Sequence, residues 1–447
     1  MEVSEAFVRY LSDAVGEEGA KTVVSALSLP ASVSVRMNPS KAGNWNEDKV
    51  AAHFGCGAKK VAWSPEGWLL AERPVFTLDP LLHGGAYYVQ DSSAMFVGEM
   101  FRKAAGQGRD LRVLDLCAAP GGKTTDLAAS LRAICGDSYV LVANEVMKQR
   151  ATVLAENVAL WGDPNVVVTS ADPKAFASLE GFFDVIVADV PCSGEGMFRK
   201  DEEALNQWSE DNVALCEARQ RRILADVWPA LAEGGILVYS TCTFNRREND
   251  GNVRWIAGTL GAEVMDMGPA PEKVFRTELG YSLLPGMVPG EGQYCAVLRK
   301  DGEAGRSEGK AVRTEKCPLL TGEVVMRRAG DLQVAMPEAV AAVAPKLAAL
   351  RPISMGVAVG TLKGRDMVPD PDLALCLRLA PEAYPAAEVD LQGALAFLHR
   401  DNLLLPDAPK GYLKICYEGV PLGFVKNLGN RTNSLMPVHR RIRMDIK

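Results

Sequence analysis

Apolar residues recur at helical spacing over residues 4 to 28, at Phe7, Leu11 and Val15 and again at Val23, Val24 and Leu27, which predicts two short helices. Val33 to Asn38 then alternates as a strand does and stops at Pro39. A helical stretch from Asp48 to Phe54 and a turn-divided pair around Trp63 to Leu70 complete a small α+β unit, predicted to end near Leu81. Met95, Val97 and Met100 predict an apolar helix, with Asp91, Ser92 or Ser93 as its N-cap. From Leu111 onward aliphatic runs alternate with helical segments. Strands are predicted at Leu111 to Leu116, Val140 to Ala143, Val166 to Thr169, Val185 to Ala188 and Ile236 to Ser240, with a late strand at Tyr294 to Leu298. That alternation is the mark of α/β architecture, a doubly wound, Rossmann-like parallel sheet with crossover helices. Residues 301–310 carry no large apolar side chain and read as a linker. Residues 311 to about 380 are mixed and proline-punctuated, and strand patterns return at Tyr412 to Tyr417 and Pro421 to Lys426. The expected division is therefore 1–81, 82–300, the linker 301–310, and 311–447.

Composition sharpens this picture in two places. The 447 residues are 48% hydrophobic and 23% charged, as in soluble globular proteins, and too numerous for one core. No apolar run approaches the ~20 residues that span a bilayer, and the acidic Met-Glu-Val-Ser-Glu start does not resemble a signal peptide, so no membrane partner is expected. Ten cysteines without a C-x-x-C pair, and four histidines far apart, predict reduced thiols in a cytoplasmic protein, without a structural metal. Net charge is −7, which on its own argues against nucleic acid. The end of the chain reverses that sign. Between Lys410 and Lys447 there are eight basic residues against two acidic ones, either a solvated face or a binding patch.

The chemistry centres on the junction after the first predicted sheet strand: Cys117, Ala118, Ala119, Pro120, Gly121, Gly122, Lys123. Glycines there let a ligand approach the backbone, and the amides of the following helix start offer donors. A phosphate-binding P-loop would need glycine where Cys117 stands, and the dinucleotide fingerprint G-x-G-x-x-G is absent. An amino-acid-bearing nucleoside such as S-adenosylmethionine (SAM) remains, beside plain strand-to-helix punctuation. Ligands of open parallel sheets sit beyond the carboxyl ends of the strands. Asn144 and Glu145, Asp172, the run Asp189-Val190-Pro191-Cys192, and Thr241-Cys242 all stand at such ends, so one cleft could gather them. Glu145 suits a ribose diol or, alternatively, a helix N-terminus; Asp172 suits the adenine side or a turn.

Two thiols after separate strands, Cys192 and Cys242, discriminate further. Either alone reads as a small core residue. An amino-group methyltransferase would use an Asn/Asp-Pro-Pro-aromatic loop, a pattern that Asp189-Val190-Pro191-Cys192 departs from. Carbon 5 of a pyrimidine becomes nucleophilic only after a nucleophile adds at carbon 6, a role that suits cysteine. One thiol can attack and the other assist departure. Asp189, protonated or sharing a proton with the ring, would steady charge developing near N3.

Taken together, Leu114 to Thr124, Asn144-Glu145, Asp172, Asp189 to Gly196 and Tyr239 to Thr243 resemble the Nop/Sun family of RNA cytosine-C5 methyltransferases. Ser34 to Pro39 and Tyr88 to Ser93 extend the likeness upstream, and Gly411 to Arg443 makes the chain most similar to the bacterial small-subunit ribosomal RNA F type. The resemblance implies SAM as cofactor, held by the 117–123 loop, Glu145 and Asp172, with Asp189 between cofactor and base. It makes Cys242 the nucleophile and Cys192 the release cysteine, residues 1–81 RNA-binding, and the C-terminal region PUA-like. The expected partner is then 16S ribosomal RNA in the small subunit, bound by a monomer. Transfer RNA, or a catalytically inactive assembly role, is the alternative. The stretch Arg132 to Tyr139 departs from the resemblance in reading as a long helix-to-strand connection.

Overall fold

The computed structural model describes residues 3–41, 43–106, 110–303, 311–364 and 366–445. Most of the expected linker, and Lys447 of the basic end, lie outside them. The N-terminal segment is α1 (Glu5–Ala26), β1 (Val33–Met37), α2 (Glu47–Phe54), β2 (Ala58–Lys60), β3 (Gly67–Leu70), a short α3 (Pro80–His83) and β4 (Tyr87–Val89). Within α1, Gly16 takes φ 76°, so the two predicted helices are two arms across a kink. β2, β3, β1 and β4 form one sheet in that order. Because Tyr87–Val89 pairs with β1, the unit runs past the boundary expected at residue 81; the edge strand must lie beside its partner for its backbone to be satisfied. The apolar face of α1 does not cover that sheet. Phe7, Leu11 and Val23 pack instead with Phe198, Trp208, Val213 and Phe244 of the central domain.

The central domain continues with α4 (Phe96–Ala105), β5 (Leu111–Asp115), α5 (Gly122–Cys135), β6 (Tyr139–Asn144), α6 (Lys148–Trp161), β7 (Val166–Thr169) and β8 (Phe183–Asp189). It is completed by α7 (Glu202–Gln207), α8 (Glu210–Val227), β9 (Leu231–Thr241), α9 (Asp250–Leu260), β10 (Ala262–Val264), β11 (Phe275–Arg276), β12 (Tyr281–Leu283) and β13 (Gln293–Lys300). All six strands predicted here are present. α4 begins at Phe96 without a side-chain cap; Asp91 accepts the Ser93 N–H in the turn before it instead. α5 extends through Cys135, leaving only three residues before β6, so the connection expected to be long is short.

The sheet order is β11-β12-β13-β9-β8-β5-β6-β7, with β7, β6, β5, β8 and β9 parallel and β13 antiparallel. Strands buried on both faces read as continuous aliphatic runs, as Val140 to Ala143 and Val185 to Ala188 do. The order reverses between β5 and β8, and the strand ends that flank this reversal carry the 117–123 loop and Asp189.

The C-terminal region is less separate than composition suggested. Ser354–Met355 pairs antiparallel with β7, extending the central sheet. The helix Glu338–Leu347 sinks Val340, Val343 and Leu347 into the core beneath that sheet. Glu315–Lys316, Glu323–Ala329, Leu332–Pro337, Val357–Lys363 and Asp366–Pro369 form a five-stranded sheet of their own, and the last unit forms a four-stranded one, Ala386–Glu388, Gly411–Tyr417, Val420–Asn427 and Thr432–Ser434, with the helix Leu391–His399 against it. Even this unit is tied inward, since Val420 joins the apolar cluster of the N-terminal sheet. Arg440 pairs with Glu156 at 2.5 Å and Asp372 at 2.6 Å. Lys414 is buried, donating to the Pro381 carbonyl, whereas Arg431, Arg441 and Arg443 stay exposed. The basic end is thus partly docking surface and partly free. Among the described residues no helix is long and apolar enough to cross a membrane, and no cluster of His, Cys, Asp or Glu is arranged to hold a metal.

Candidate active site

The loop after β5 turns where Gly121 adopts φ 114°, a conformation that favours glycine, and α5 starts at the next residue. Behind it Arg36 of β1, fully buried, donates to the Gln90 side chain at 2.7 Å, the Gly122 carbonyl at 3.2 Å and Thr125 Oγ1 at 2.5 Å. The N-terminal unit therefore fixes the helix start beneath the loop, a link that adjacency in sequence does not reveal. Arg150 donates to the Ala119 carbonyl, and Asn157 to the Pro120 carbonyl, holding the loop's other side.

Carboxylates surround it. Asp115 is wholly buried at the end of β5, where Thr124 donates to its Oδ2 at 2.6 Å and Oδ1 has no hydrogen-bond partner among the described residues. Burial pushes its pKa up to about 7, with Asp189 and Glu145 adding to the rise. Glu145 is buried; its Oε1 accepts the Met147 N–H and its Oε2 lies 3.2 Å from Arg150. Burial, together with Asp189, Asp115 and Glu145, also raises the Cys117 thiol pKa, which keeps Cys117 neutral and unsuited to attack. Asn144 is spent on architecture, accepting from Thr169 and the Ala171 N–H. Asp172 is exposed and caps the turn that follows it, accepting the Lys174 N–H.

These residues fit SAM. The orphaned Asp115 oxygen is an acceptor at the strand end where an ammonium would be received, and Glu145 offers a buried carboxylate one strand away.

The second half of the site lies at the ends of β8 and β9, which run side by side and parallel with Asp189 opposite Ser240. Asp189 Oδ2 is 2.8 Å from Lys123 Nζ, while its Oδ1 accepts from Ser240 at 2.8 Å and Gln293 at 2.9 Å. Burial disfavours the Lys123 ammonium, but Asp189, with Cys242 nearby, outweighs it and raises the Lys123 pKa. The proton expected on Asp189, or shared between it and the ring, thus has the Lys123 ammonium as a neighbouring source. Beyond Asp189, Cys192 Sγ and Cys242 Sγ stand 3.2 Å apart, both half-buried. Hydrogen bonding to Cys242 comes first, and burial second, in raising the Cys192 pKa, which keeps Cys192 a neutral thiol.

The strand ends therefore bring Cys117, Lys123, Glu145, Asp189, Cys192 and Cys242 to one end of the sheet, with Asp172 at its margin in a turn role. Lys123 appeared in the sequence only as one member of a loop, and its partnership with Asp189 went unseen. Ser240 and Gln293 were missed as well, because both sit inside strands whose pattern announces packing.

Three family models match successive parts of the chain: the N-terminal domain of 16S rRNA methyltransferase RsmF at residues 3–92, 16S rRNA methyltransferase RsmB/F at 106–299, and the methyltransferase RsmF PUA domain at 384–442. Ribosomal RNA small subunit methyltransferase F of Pectobacterium atrosepticum is 33% identical over 290 residues, 62% of this chain but only 58% of that protein. The protein of the same name from Shewanella loihica is 29% identical over 446 residues, 93% of this chain and 90% of its own. Among solved structures, a methyltransferase homolog from Pyrococcus horikoshii superposes with a TM-score of 0.54 at 26% identity, covering 67% of this chain and 100% of that one. Models of the RsmB/F and RsmF 16S rRNA methyltransferases thus match the N-terminal, central and C-terminal parts of the chain in order, and along those parts the chain is similar to that family.

Proposed function

We propose that this protein methylates carbon 5 of cytosine in 16S ribosomal RNA through a transient bond between Cys242 Sγ and carbon 6 of the base. The observation that carries this reading is the pair of thiols 3.2 Å apart beside the Lys123–Asp189 ion pair. Amino-group methylation needs no thiol, whereas carbon methylation uses a nucleophile and a group to help it leave.

In this reading Cys242 adds to carbon 6, and the electron pair displaced from the ring collects toward N3 and the exocyclic oxygen. In this reading Lys123 and Asp189 lie on that side: the Lys123 ammonium offsets the developing negative charge, and Asp189 relays a proton from Lys123 to N3. SAM supplies an electrophilic methyl group to the activated carbon 5. Water then takes the carbon 5 proton, the pair of that bond re-forms the 5,6 double bond, and the bond from carbon 6 to sulfur breaks with its pair going back to Cys242. Cys192, as a neutral thiol at 3.2 Å, hydrogen-bonds the departing sulfur. Cytosine must be unstacked to present carbon 6, so a loop or an everted base is the form recognised. The 117–123 loop with Glu145 is assigned to SAM, Asp172 to the margin of the adenine side, and the exposed Arg431, Arg441 and Arg443 to RNA.

Substitution of each cysteine tests the assignment. Cys242→Ala abolishes methyl transfer and forms no adduct, while Cys192→Ala accumulates an RNA-linked protein that survives denaturing electrophoresis. The opposite pattern reverses the two roles. Bisulfite sequencing of total RNA from a strain lacking the gene separates 16S ribosomal RNA from transfer RNA, and full retention of 5-methylcytosine there would sink the activity itself.

A further inference from the structure

Behind the two cysteines lies a buried polar cluster that the chemistry above leaves idle. Glu195 follows Cys192 by three residues, and Glu248 follows Cys242 by six; both carboxyl groups are buried. Each reaches across to the other's loop. Glu195 Oε2 accepts the backbone N–H of Phe244 at 2.6 Å, two residues past Cys242. Glu248 Oε2 accepts the backbone N–H of Ser193 at 3.1 Å, the residue next to Cys192, and the Gln220 amide of α8 at 2.7 Å. Asn245 Nδ2 stands between them, 2.9 Å from Glu195 and 2.8 Å from Glu248. Trp208 donates to Glu195 at 2.9 Å, and Phe7 of α1 packs edge-on against Trp208 at 5.5 Å.

Among the described residues neither carboxylate has a Lys or Arg ion-pair partner. Placing two acids in one buried cluster without a cation costs stability, and burial with Glu195 nearby pushes Glu248 up to about 7. An apolar filling would hold two loops together at lower cost. What it could not do is seat the backbone next to each sulfur by a directed hydrogen bond.

We propose that Glu195 and Glu248 are reciprocal positioning residues, Glu195 seating the Cys242 loop for attack and Glu248 seating the Cys192 loop for release, so that together they set the spacing of the thiols. The inference rests on the two-cysteine reading above and deepens it.

The test uses the full chain with 16S ribosomal RNA and labelled SAM, comparing Glu195→Ala, Glu248→Ala, Glu195→Gln, Glu248→Gln and Cys192→Ala. Three quantities are read: SAM affinity by calorimetry, the RNA adduct on denaturing gels, and methyl turnover. Glu248→Ala is expected to slow turnover ~10-fold or more while adduct accumulates, and Glu195→Ala to lose adduct and turnover together, each with SAM affinity within ~2-fold, in the range that supporting shells of reactive sites show. The glutamine variants keep volume and one acceptor oxygen, so they carry the same test if the alanine forms do not fold, with smaller effects of the same opposite sign. Equal losses of adduct and turnover in both, in step with SAM affinity and melting temperature, would overturn the clasp in favour of mere packing. If Cys192→Ala traps adduct and the Glu248 variants trap none, the clasp fails alone. If Cys192→Ala traps none, the two-cysteine reading beneath it fails.

Discussion

The two halves of the site are built by different means. The half assigned above to SAM, from Asp115 to Lys123 with Glu145, is made of residues at the ends of β5 and β6, and its shape comes from a glycine turn and backbone carbonyls held by Arg36, Arg150 and Asn157. The cysteine half, at the ends of β8 and β9, is made of two loops that touch each other chiefly through buried side chains: Glu195, Asn245, Glu248, Ser193 and Thr243. A pocket for a common cofactor can be specified locally. A pair of sulfurs 50 residues apart that must meet at 3.2 Å cannot, and the polar clasp is what brings them there.

If the halves are separable, variants should divide them. The largest effect is expected for Cys242→Ala, a loss of at least ~10³ in turnover with SAM affinity unchanged, measured by tritium transfer and calorimetry. Lys123→Met tests the seam, because Lys123 belongs to the cofactor loop by sequence and to Asp189 by contact. Its turnover should drop ~10²-fold with a much smaller change in SAM affinity, and parallel losses would erase the distinction. Glu145→Ala should weaken SAM ~10-fold and leave adduct formation at saturating SAM near its original rate, since it removes binding and no reacting group.

The two halves also share a penalty that pH exposes. Asp115 and Glu248, one in each half, have carboxyls raised by burial to about 7, so the folded protein keeps protons that the unfolded chain has released. Their contribution to stability is highest below the unfolded carboxylate pKa and is lost as pH rises through the folded value. Denaturant unfolding at pH 5 and pH 7.5 should show that fall, and Glu248→Gln should flatten it by on the order of 2 kcal/mol. A Glu248→Gln protein with an unaltered slope would place the titration elsewhere. The smallest effect belongs to the periphery. Arg440→Ala should cost about 1 kcal/mol by loosening the last unit from Glu156 and Asp372, with turnover on short RNA unchanged.

Much of this was readable along the chain. The strand pattern, the glycine junction at 121 and 122 and the identity of both cysteines follow from local sequence, because burial on both faces demands aliphatic runs and a tight turn demands glycine. The division into domains read less well. Val340, Ser354 and Val420 look like parts of a separate C-terminal region, yet they complete the central core, extend its sheet and join the N-terminal cluster. Periodicity tells that a residue is buried and is silent about what it is buried against.

The same silence covers the chemistry. From the order of amino acids alone came the fold class, the loop at 117–123 and the presence of two thiols and an acid at the ends of neighbouring strands. Tertiary structure decided that Lys123 meets Asp189, that Cys192 keeps its proton beside Cys242, and that Glu195 and Glu248 cross between loops. Turns and strands arise from forces between near neighbours in the chain, whereas a protonation state or a sulfur-to-sulfur distance depends on groups that only folding brings together.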